Sequence, residues 1–276
     1  MNGIFVHLVP YRSLWSFMGS EVAFSLRKQR PNKFMVWIHV STMKKLMMGA
    51  LLLALFICIA VYEVPASKTW SSWSLPLSGK VIALDAGHGG PDGGAVSKQG
   101  VIEKDINLAV ALYLRDYLQQ AGATVVMTRE RDIDLAPPET KSYSKRKTED
   151  LKQRVKMIND KKADLFITIH MNSIPSNRWS GAQVFYYPNH DDNADFAALV
   201  QDEIRRNLEN TDRIAKTVNT VYLLQALKMP AVLVEVGFLS HPVESRLLAE
   251  EEYQRKVAAS VYKGILRYVS GEKLKK

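Results

Sequence analysis

The sequence predicts an α/β fold: a single domain with a twisted, mostly parallel sheet flanked by helices. Two observations lead to this prediction. Short apolar runs of strand length alternate with longer segments whose apolar residues recur at helical spacing. Strands that alternate with helices in this way typically form a largely parallel sheet. The pattern occupies residues 80–270 of the 276-residue chain, and we find no internal repeat and no second domain.

The predicted elements follow one another regularly along the chain. The first strand, 81–84, is uniformly apolar and leads into a glycine-rich loop. The first helix ends at Gly122, because glycine is common just after the last helical turn. The predicted strands are 81–84, 123–127, 164–169, 182–187 and 231–236. The predicted helices are 106–121, 148–161, 194–209 and 251–269, with a polar loop over 129–147.

An apolar segment precedes this domain. Lys44 and Lys45 are followed by an uncharged stretch of seventeen residues, from Leu46 to Tyr62. This length is at the short limit for a membrane span, so residues 43–66 are either a signal peptide or an uncleaved membrane anchor. Lysines on its N-terminal side place the following chain outside the cytoplasm. The alternative, a buried core helix, fits less well because the run is apolar on every face.

The remaining N-terminal segments carry little structural signal. Residues 1–42 lack periodicity and form an N-terminal extension whose start is uncertain, with Met43 as an alternative start. Residues 67–79, rich in Ser and Trp, are predicted to be a linker. The one cysteine, Cys58, excludes an intramolecular disulfide, and Ile57 before it argues against lipid attachment.

The charge of the chain limits its partners. The net charge is +9, but residues 1–67 hold seven Lys or Arg and only two Asp or Glu. Residues 68–276 therefore carry a net charge of +4. An excess of this size suits an anionic polymer and is too small to indicate nucleic acid.

Four side chains with potential chemistry lie where such a fold places its sites. His88 and His170 follow predicted strands at their carboxyl ends, where parallel sheets position functional loops. Glu103 lies just before the first helix, and Glu235 is the one acid within an apolar strand. Burying a lone carboxylate costs roughly several kcal/mol unless it is paired, so Glu235 requires a partner.

These four residues match the needs of a metallohydrolase. Two histidines, one carboxylate and an open position are the ligand set of a catalytic zinc, and a second carboxylate would carry the proton. Each residue also has a simpler interpretation. Either histidine alone could contact backbone in a loop, and Glu103 could be favoured by the helix dipole. The spacing, with 14 and 66 intervening residues, is not a compact metal motif, so the residues alone leave the question open.

Several motifs resemble the amidase type 3 family of N-acetylmuramoyl-L-alanine amidases. The matching segments, in family order, are Leu84–Gly90, Glu103-Lys104, Thr128-Arg129, Ile169–Asn172 and Val234–Ser240. The resemblance covers nearly all of the predicted domain. It implies that His88, Glu103 and His170 bind zinc and that Glu235 is the catalytic acid.

Further segments resemble the germination-specific members of that family. These segments are Trp73–Lys80, Thr148–Val155, Trp179–Gln183 and Arg205–Asn210. The resemblance implies action on spore-cortex peptidoglycan, where removing the peptide lets muramic δ-lactam form and makes the spore competent to germinate. It places the domain in the intermembrane space of the developing spore. Expected partners are peptidoglycan, the membrane if the leader is uncleaved, and an accessory lipoprotein; nucleic acid is not expected.

Two other functions stay open at this stage. A catalytically dead peptidoglycan-binding or scaffold domain could share the fold, but such a domain should have lost Glu235 or a ligand. A zinc carboxypeptidase acting within the peptide stem would need a cation to hold the substrate carboxylate. Arg129 and Arg154 are the candidates for that cation, although both could equally be surface or structural residues.

Overall fold

The computed structural model describes residues 40–61 and 75–274, and the chain divides into two units between Trp73 and Ser74. In the first unit, helix α1 spans Val40–Val61. Its segment Ser41–Ile59 is exposed, and it is long and apolar enough to cross a membrane. Most of the predicted N-terminal extension, the end of the leader and residues 67–74 of the linker lie outside the described residues.

The second unit contains six strands and six helices within residues 75–274. The strands are β1 (Val81–Ala86), β2 (Thr124–Met127), β3 (Leu165–Asn172), β4 (Gln183–Tyr186), β5 (Lys216–Thr217) and β6 (Ala231–Phe238). The helices are α2 (Glu103–Gln120), α3 (Tyr143–Asp160), α4 (Asn193–Leu208), α5 (Tyr222–Ala226), α6 (Glu244–Leu248) and α7 (Glu251–Val269). All five predicted strands and all four predicted helices are present.

The strands form one sheet in the order β2-β1-β3-β6-β4-β5. Strand β1 pairs in parallel with β2 on one side and β3 on the other, and β3 pairs in parallel with β6. Strand β4 runs antiparallel to β6 and parallel to β5, so the sheet is mixed with a parallel centre. The chain order reverses at β1, and in such sheets ligands bind beyond the carboxyl ends of the strands at this point.

Helices cover both faces of the sheet. Successive strand residues point to opposite faces, so each apolar strand contributes to two cores. The larger core packs strand residues such as Leu84, Ile167 and Val234 against α2, α4 and α7. The smaller core packs Ala83, Phe166 and Leu233 against residues of α3 and α5. On the sheet face that carries the smaller core, the strand residues nearest the carboxyl edge include His170 and Glu235. These residues belong to the candidate site.

The predicted start of α3, the helix expected over 148–161, was wrong. The polar run before residue 148 suggested a loop over 129–147, but α3 begins at Tyr143. Tertiary contacts hold this polar turn in place: the Arg146 guanidinium donates to the carboxylate of Asp134 and to the carbonyl of Pro137. Strand β5 and the short helices α5 and α6 were not predicted, because two to five residues are too few to show a periodicity.

Candidate metal centre

The candidate site begins with a row of residues in register across the sheet. His170 in β3 is the direct partner of Glu235 in β6, and Glu235 is the partner of Gln183 in β4. Gly87 follows β1 and donates its amide to the carbonyl of Ile169. A Cβ atom on Gly87 would lie 2.2 Å from Nε2 of His170, so the His170 imidazole fits only against glycine.

His88, Glu103 and His170 come together at this edge. One ligand atom from each lies within 4.8 Å of the others. The Oε1 atom of Glu103 is 3.2 Å from His88 Nε2 and 3.1 Å from His170 Nδ1. The two imidazole rings meet edge to face, with centroids 4.9 Å apart. The three residues predicted as ligands from the sequence therefore form one cluster, although their binding of a metal stays a prediction.

Glu103 is fixed within this cluster by the backbone. It is the first residue of α2 and is buried. The amide of Ala95 donates to its Oε2 at 2.8 Å, and the amide of Met171 donates to its Oε1 at 3.0 Å. Burial alone would raise the pKa of Glu103, but hydrogen bonds from His170 and His88 outweigh it and hold the pKa well below its usual range. Glu103 is therefore an ionised carboxylate at neutral pH.

His88 is oriented by a carboxylate that the sequence analysis did not single out. Asp92 Oδ2 lies 2.9 Å from His88 Nδ1, which leaves Nε2 facing Glu103. Asp92 is itself held by the Tyr143 hydroxyl at 2.9 Å and by Lys147 Nζ at 3.0 Å. Asp92 follows His88 by four residues in the same glycine-rich loop, and this proximity is the feature of the sequence that could have indicated their contact.

The surroundings of His88 favour positive charge. Burial lowers the pKa of its imidazole, but hydrogen bonds to Asp92 and Glu103 outweigh this and raise the pKa to about 9. The donor set of two ring nitrogens and one carboxylate oxygen is one that Zn²⁺ accepts in catalytic sites. The negative surroundings and the donor types therefore both fit a divalent cation.

Two buried arginines hold the loop that carries His88. Arg154 Nη2 donates to the carbonyl of His88 at 2.7 Å, and its Nη1 lies 2.6 Å from the buried carboxylate of Asp85. Arg129 donates to the carbonyls of Gly87 and His88 at 3.0 and 2.8 Å. These contacts keep His88 in its left-handed conformation, with φ at 64°.

The same contacts exclude both arginines as substrate ligands. Arg129 is 3% exposed and Arg154 is 1% exposed, and their donors point to carbonyls and carboxylates of the chain itself. The hypothesis that either guanidinium holds a substrate carboxylate, as a carboxypeptidase would require, was therefore wrong.

Glu235 has the features expected of a proton carrier. It projects from β6 beside His170, and its Oε2 atom is buried without a hydrogen-bond partner among the described residues. Burial raises the pKa of Glu235 to about 7, with the negative charge of Glu103 adding to the effect and the two histidines opposing it. A carboxyl group with this pKa can accept and donate a proton near neutral pH.

Comparison with known proteins identifies the family of this chain. The family model described as N-acetylmuramoyl-L-alanine amidase matches residues 82–267. The germination-specific N-acetylmuramoyl-L-alanine amidase of Bacillus subtilis (strain 168) is 56% identical over 227 residues, which cover 82% of this chain and 95% of that protein. The resemblance predicted from the motifs is confirmed.

Solved structures show the same fold. The CwlD amidase from Clostridioides difficile, in complex with the GerS lipoprotein, is 39% identical with a TM-score of 0.68, covering 70% of this chain and 100% of that chain. The catalytic domain of CwlV from Bacillus (Paenibacillus) polymyxa var. colistinus is 34% identical with a TM-score of 0.59, covering 70% and 99%. The chain therefore belongs to the N-acetylmuramoyl-L-alanine amidase family.

Proposed function

We propose that this protein is a zinc-dependent amidase that hydrolyses the amide between N-acetylmuramic acid and L-alanine in peptidoglycan. The observation that carries the proposal is the cluster of His88, Glu103 and His170 with Glu235 directly beside it. Family membership supplies the reaction, and the cluster supplies groups able to perform it. The neighbouring, unpartnered Glu235 Oε2 argues against a catalytically dead scaffold.

The atoms that would hold the metal are His88 Nε2, Glu103 Oε1 and His170 Nδ1, which lie close together. Zinc bound there would acidify a water molecule and polarise the scissile carbonyl, which is the chemistry that amide hydrolysis needs at neutral pH. The protein holds the ligands in place through Asp92 on His88 and through the amides of Ala95 and Met171 on Glu103.

The proton is carried by Glu235. Its carboxylate takes a proton from the attacking water as the new C–O bond forms at the lactyl carbonyl. The same oxygen then gives the proton to the nitrogen of L-alanine as the C–N bond breaks. The products are a free lactyl carboxylate on muramic acid and a peptide with an L-alanine amino terminus. The pKa of about 7 suits a group that must act first as a base and then as an acid.

Product analysis separates the amidase from the carboxypeptidase. The full chain, purified in detergent, is incubated with cortex peptidoglycan with and without a zinc chelator. The amidase releases peptides with new L-alanine amino termini, and the chelator abolishes this release. Stems shortened at their carboxyl ends, with no new L-alanine amino termini, would rule the proposal out.

We further propose that the substrate is spore cortex and that the product leads to muramic δ-lactam. The support is the 56% identity to a germination-specific amidase over nearly the whole of that protein. A free lactyl carboxylate is the group from which a lactam can then be formed. Spores lacking this protein should contain cortex without muramic δ-lactam and should germinate poorly. Normal lactam content in such spores would refute this part of the proposal.

The proposed location is outside the cytoplasm, in the intermembrane space of the developing spore. The support is the apolar segment Ser41–Ile59 with Lys44 and Lys45 near its start, acting as a signal peptide or anchor ahead of the catalytic domain at 80–270. An accessory lipoprotein is a further proposed partner, because the C. difficile relative was solved in complex with one.

A further inference from the structure

A fourth side chain extends the row of catalytic residues. Gln183 is the direct partner of Glu235 across the β4–β6 pair, and it points to the same face of the sheet. Residues directly opposite each other on neighbouring strands lie about 5 Å apart, so Gln183 is next to the proposed proton carrier. Gln183 is 6% exposed and faces the edge where the substrate must bind.

The Gln183 carboxamide fixes the segment that follows α4. Its Nε2 donates to the carbonyl of Ile214 at 2.9 Å, and its Oε1 accepts from Arg213 Nη1 at 3.3 Å. The Arg213 guanidinium therefore ends the row that runs from His170 through Glu235. It lies on the order of 10 Å from the Glu235 carboxyl group, given the strand spacing and the length of the glutamine side chain.

The Arg213 guanidinium lies near two aromatic rings and, among the described residues, forms no ion pair with a carboxylate. Its Cζ atom lies 5.7 Å from the ring centroid of Trp179 and 5.3 Å from that of Phe238. Within residues 40–61 and 75–274, no carboxylate oxygen is in ion-pair contact with it. The nearby carboxylate of Glu244 instead accepts hydrogen bonds from the amides of Gly181 and Phe238.

Arg213 keeps part of its donor capacity free. A guanidinium has five N–H groups. Arg213 Nε and Nη2 donate to the carbonyl of Ser180 at 3.4 and 3.2 Å, and Nη1 donates to Gln183. The other two N–H groups have no partner within residues 40–61 and 75–274 and can donate to a ligand. Trp179, whose ring lies beside the guanidinium, is 49% exposed, so the side chain pair borders solvent.

We propose that Arg213, positioned by Gln183 and Trp179, binds a carboxylate of the peptide stem and selects substrates whose stem is not amidated. The inference rests on the proposed amidase function. An extended peptide advances about 3.3–3.6 Å per residue, so a distance on the order of 10 Å spans two to three stem residues beyond the scissile amide. A planar guanidinium with two further N–H donors suits bidentate binding of a carboxylate.

A purely structural role for Arg213 is the competing explanation. The guanidinium could simply tie Ser180 and Gln183 to the segment at 213–214. In that case its removal would lower thermal stability and would affect every substrate equally. A carboxylate-binding role instead affects only substrates that carry the carboxylate. The difference between two matched substrates therefore separates the explanations.

The test compares soluble glycan oligomers whose stems carry either D-glutamate with a free α-carboxylate or D-isoglutamine with an α-carboxamide. For each, kcat and KM are measured with the full chain, the variant Arg213→Gln, the conservative variant Arg213→Lys and the control Arg255→Gln. Arg255 is an exposed arginine of α7 that also lies over an aromatic ring, Tyr113. Zinc content and Tm are measured for all four proteins.

The wild type should prefer the free carboxylate, mainly through KM. Arg213→Gln should lower kcat/KM for that substrate on the order of tenfold and leave the amidated substrate unchanged, since a charge-assisted pair is lost in one case only. Arg213→Lys should retain part of the preference for the free carboxylate, and the control Arg255→Gln should retain all of it. An equal loss on both substrates, or no loss on either, would overturn the role of Arg213.

A binding measurement keeps this result separate from the reaction. The released stem peptide, with free or amidated α-carboxyl, is titrated into wild type and Arg213→Gln. Tighter binding of the free acid by the wild type alone supports the subsite, and identical binding by both proteins removes it. If the wild type binds the free acid but releases no L-alanine amino termini from any glycan, the amidase function fails while the carboxylate subsite stands.

Discussion

At the scale of single residues, His88 is held at both ring nitrogens. Nδ1 faces Asp92 and Nε2 faces Glu103, while the backbone carbonyl is bound by Arg154. A carboxylate behind a ligand histidine fixes the tautomer and raises the basicity of the nitrogen that faces the metal. Lys147 and Tyr143, both in the first turns of α3, keep Asp92 in place.

Asp92→Asn should therefore weaken zinc binding without unfolding the protein. The amide has nearly the same size but no charge, so it should cost about 10–100-fold in zinc affinity, the usual range for such a partner. A competition titration with a chromogenic chelator measures this. Asp116→Asn, which removes an exposed partner of Arg115, should bind zinc like the wild type. Unchanged affinity in Asp92→Asn would show that Asp92 does not support His88.

The ligand assignment itself predicts about one zinc per chain. His170→Ala should lose this zinc, because it removes one of three ligands and leaves only His88 and Glu103. Elemental analysis of the dialysed full chain measures the content. His241→Ala is a matched control, since His241 lies outside the cluster near the start of α6. Retention of stoichiometric zinc by His170→Ala would refute the assignment.

The proposed site residues could be inferred from the sequence, whereas the residues that hold them in position could not. His88 and His170 could be predicted because strand-end histidines meet at the same edge of a parallel sheet. Glu235 could be predicted because an acid in an apolar strand needs a partner. Asp92 could not be recognised, since its contact with His88 depends on the loop conformation. The sequence left open whether Arg129 and Arg154 bind substrate or are structural, because it does not show that loop carbonyls occupy their donors.

At the scale of elements, a buried ion pair connects α3 to β1. Arg154 of α3 contacts Asp85 at the end of β1 and Asp150 one turn earlier in its own helix. Asp85 also accepts hydrogen bonds from Thr128 and Thr168. Burial raises the pKa of Asp85, but the charge of Arg154 and these hydrogen bonds outweigh it and lower the pKa to about 2.

This pKa predicts how stability depends on pH. A carboxylate with a depressed folded-state pKa stabilises the fold above its unfolded pKa, about 3.9, and this stabilisation is lost as pH falls through about 2. Asp85→Asn should lower the free energy of unfolding by about 3–5 kcal/mol at pH 6, because it removes one of the two buried carboxylates that pair with Arg154 and leaves Asp150 as the other. Between pH 6 and pH 2 this difference should shrink by about 2 kcal/mol, because the folded-state carboxyl group of Asp85 is about half protonated at pH 2.

Denaturant unfolding in the presence of chelator measures this difference, so that acid release of metal does not contribute. Asp116→Asn is again the control, and it should follow the wild type at every pH. A difference between wild type and Asp85→Asn that is constant from pH 6 to pH 2 would contradict the proposed ion pair.

Element boundaries were predictable where burial dictates the pattern and not elsewhere. The apolar strands at the centre of the sheet appear in the sequence as uninterrupted runs, because both of their faces are buried. The first turn of α3 is polar, and its helical conformation depends on the contacts of Arg146 with Asp134. Strand β5 has two exposed residues and exists through its pairing with β4.

At the scale of the whole molecule, we propose that the leader determines in which compartment the domain at 80–270 works. We expect residues 43–62 to direct export, because two lysines precede a continuous apolar run. A reporter enzyme that is active only outside the cytoplasm, fused after residue 80, should be active, and a fusion that starts at Met43 should be equally active. Leu52→Arg combined with Leu53→Arg should silence it. A silent wild-type fusion at normal expression would refute export.

We propose that Glu235 carries the proton beside a zinc held by His88, Glu103 and His170. The variant Glu235→Gln tests it most directly, because the amide preserves the size of the side chain and cannot act as a base. Release of L-alanine amino termini from cortex peptidoglycan and zinc content are measured together, with Glu130→Gln, an exposed partner of Arg115, as the control.

We expect Glu235→Gln to keep its fold and about one zinc per chain while turnover falls by about 10²–10⁴-fold, the usual contribution of a general acid–base group. The control should retain full turnover. Near-normal turnover in Glu235→Gln would show that Glu235 does not carry the proton. Loss of zinc together with activity would show that Glu235 is a metal ligand instead.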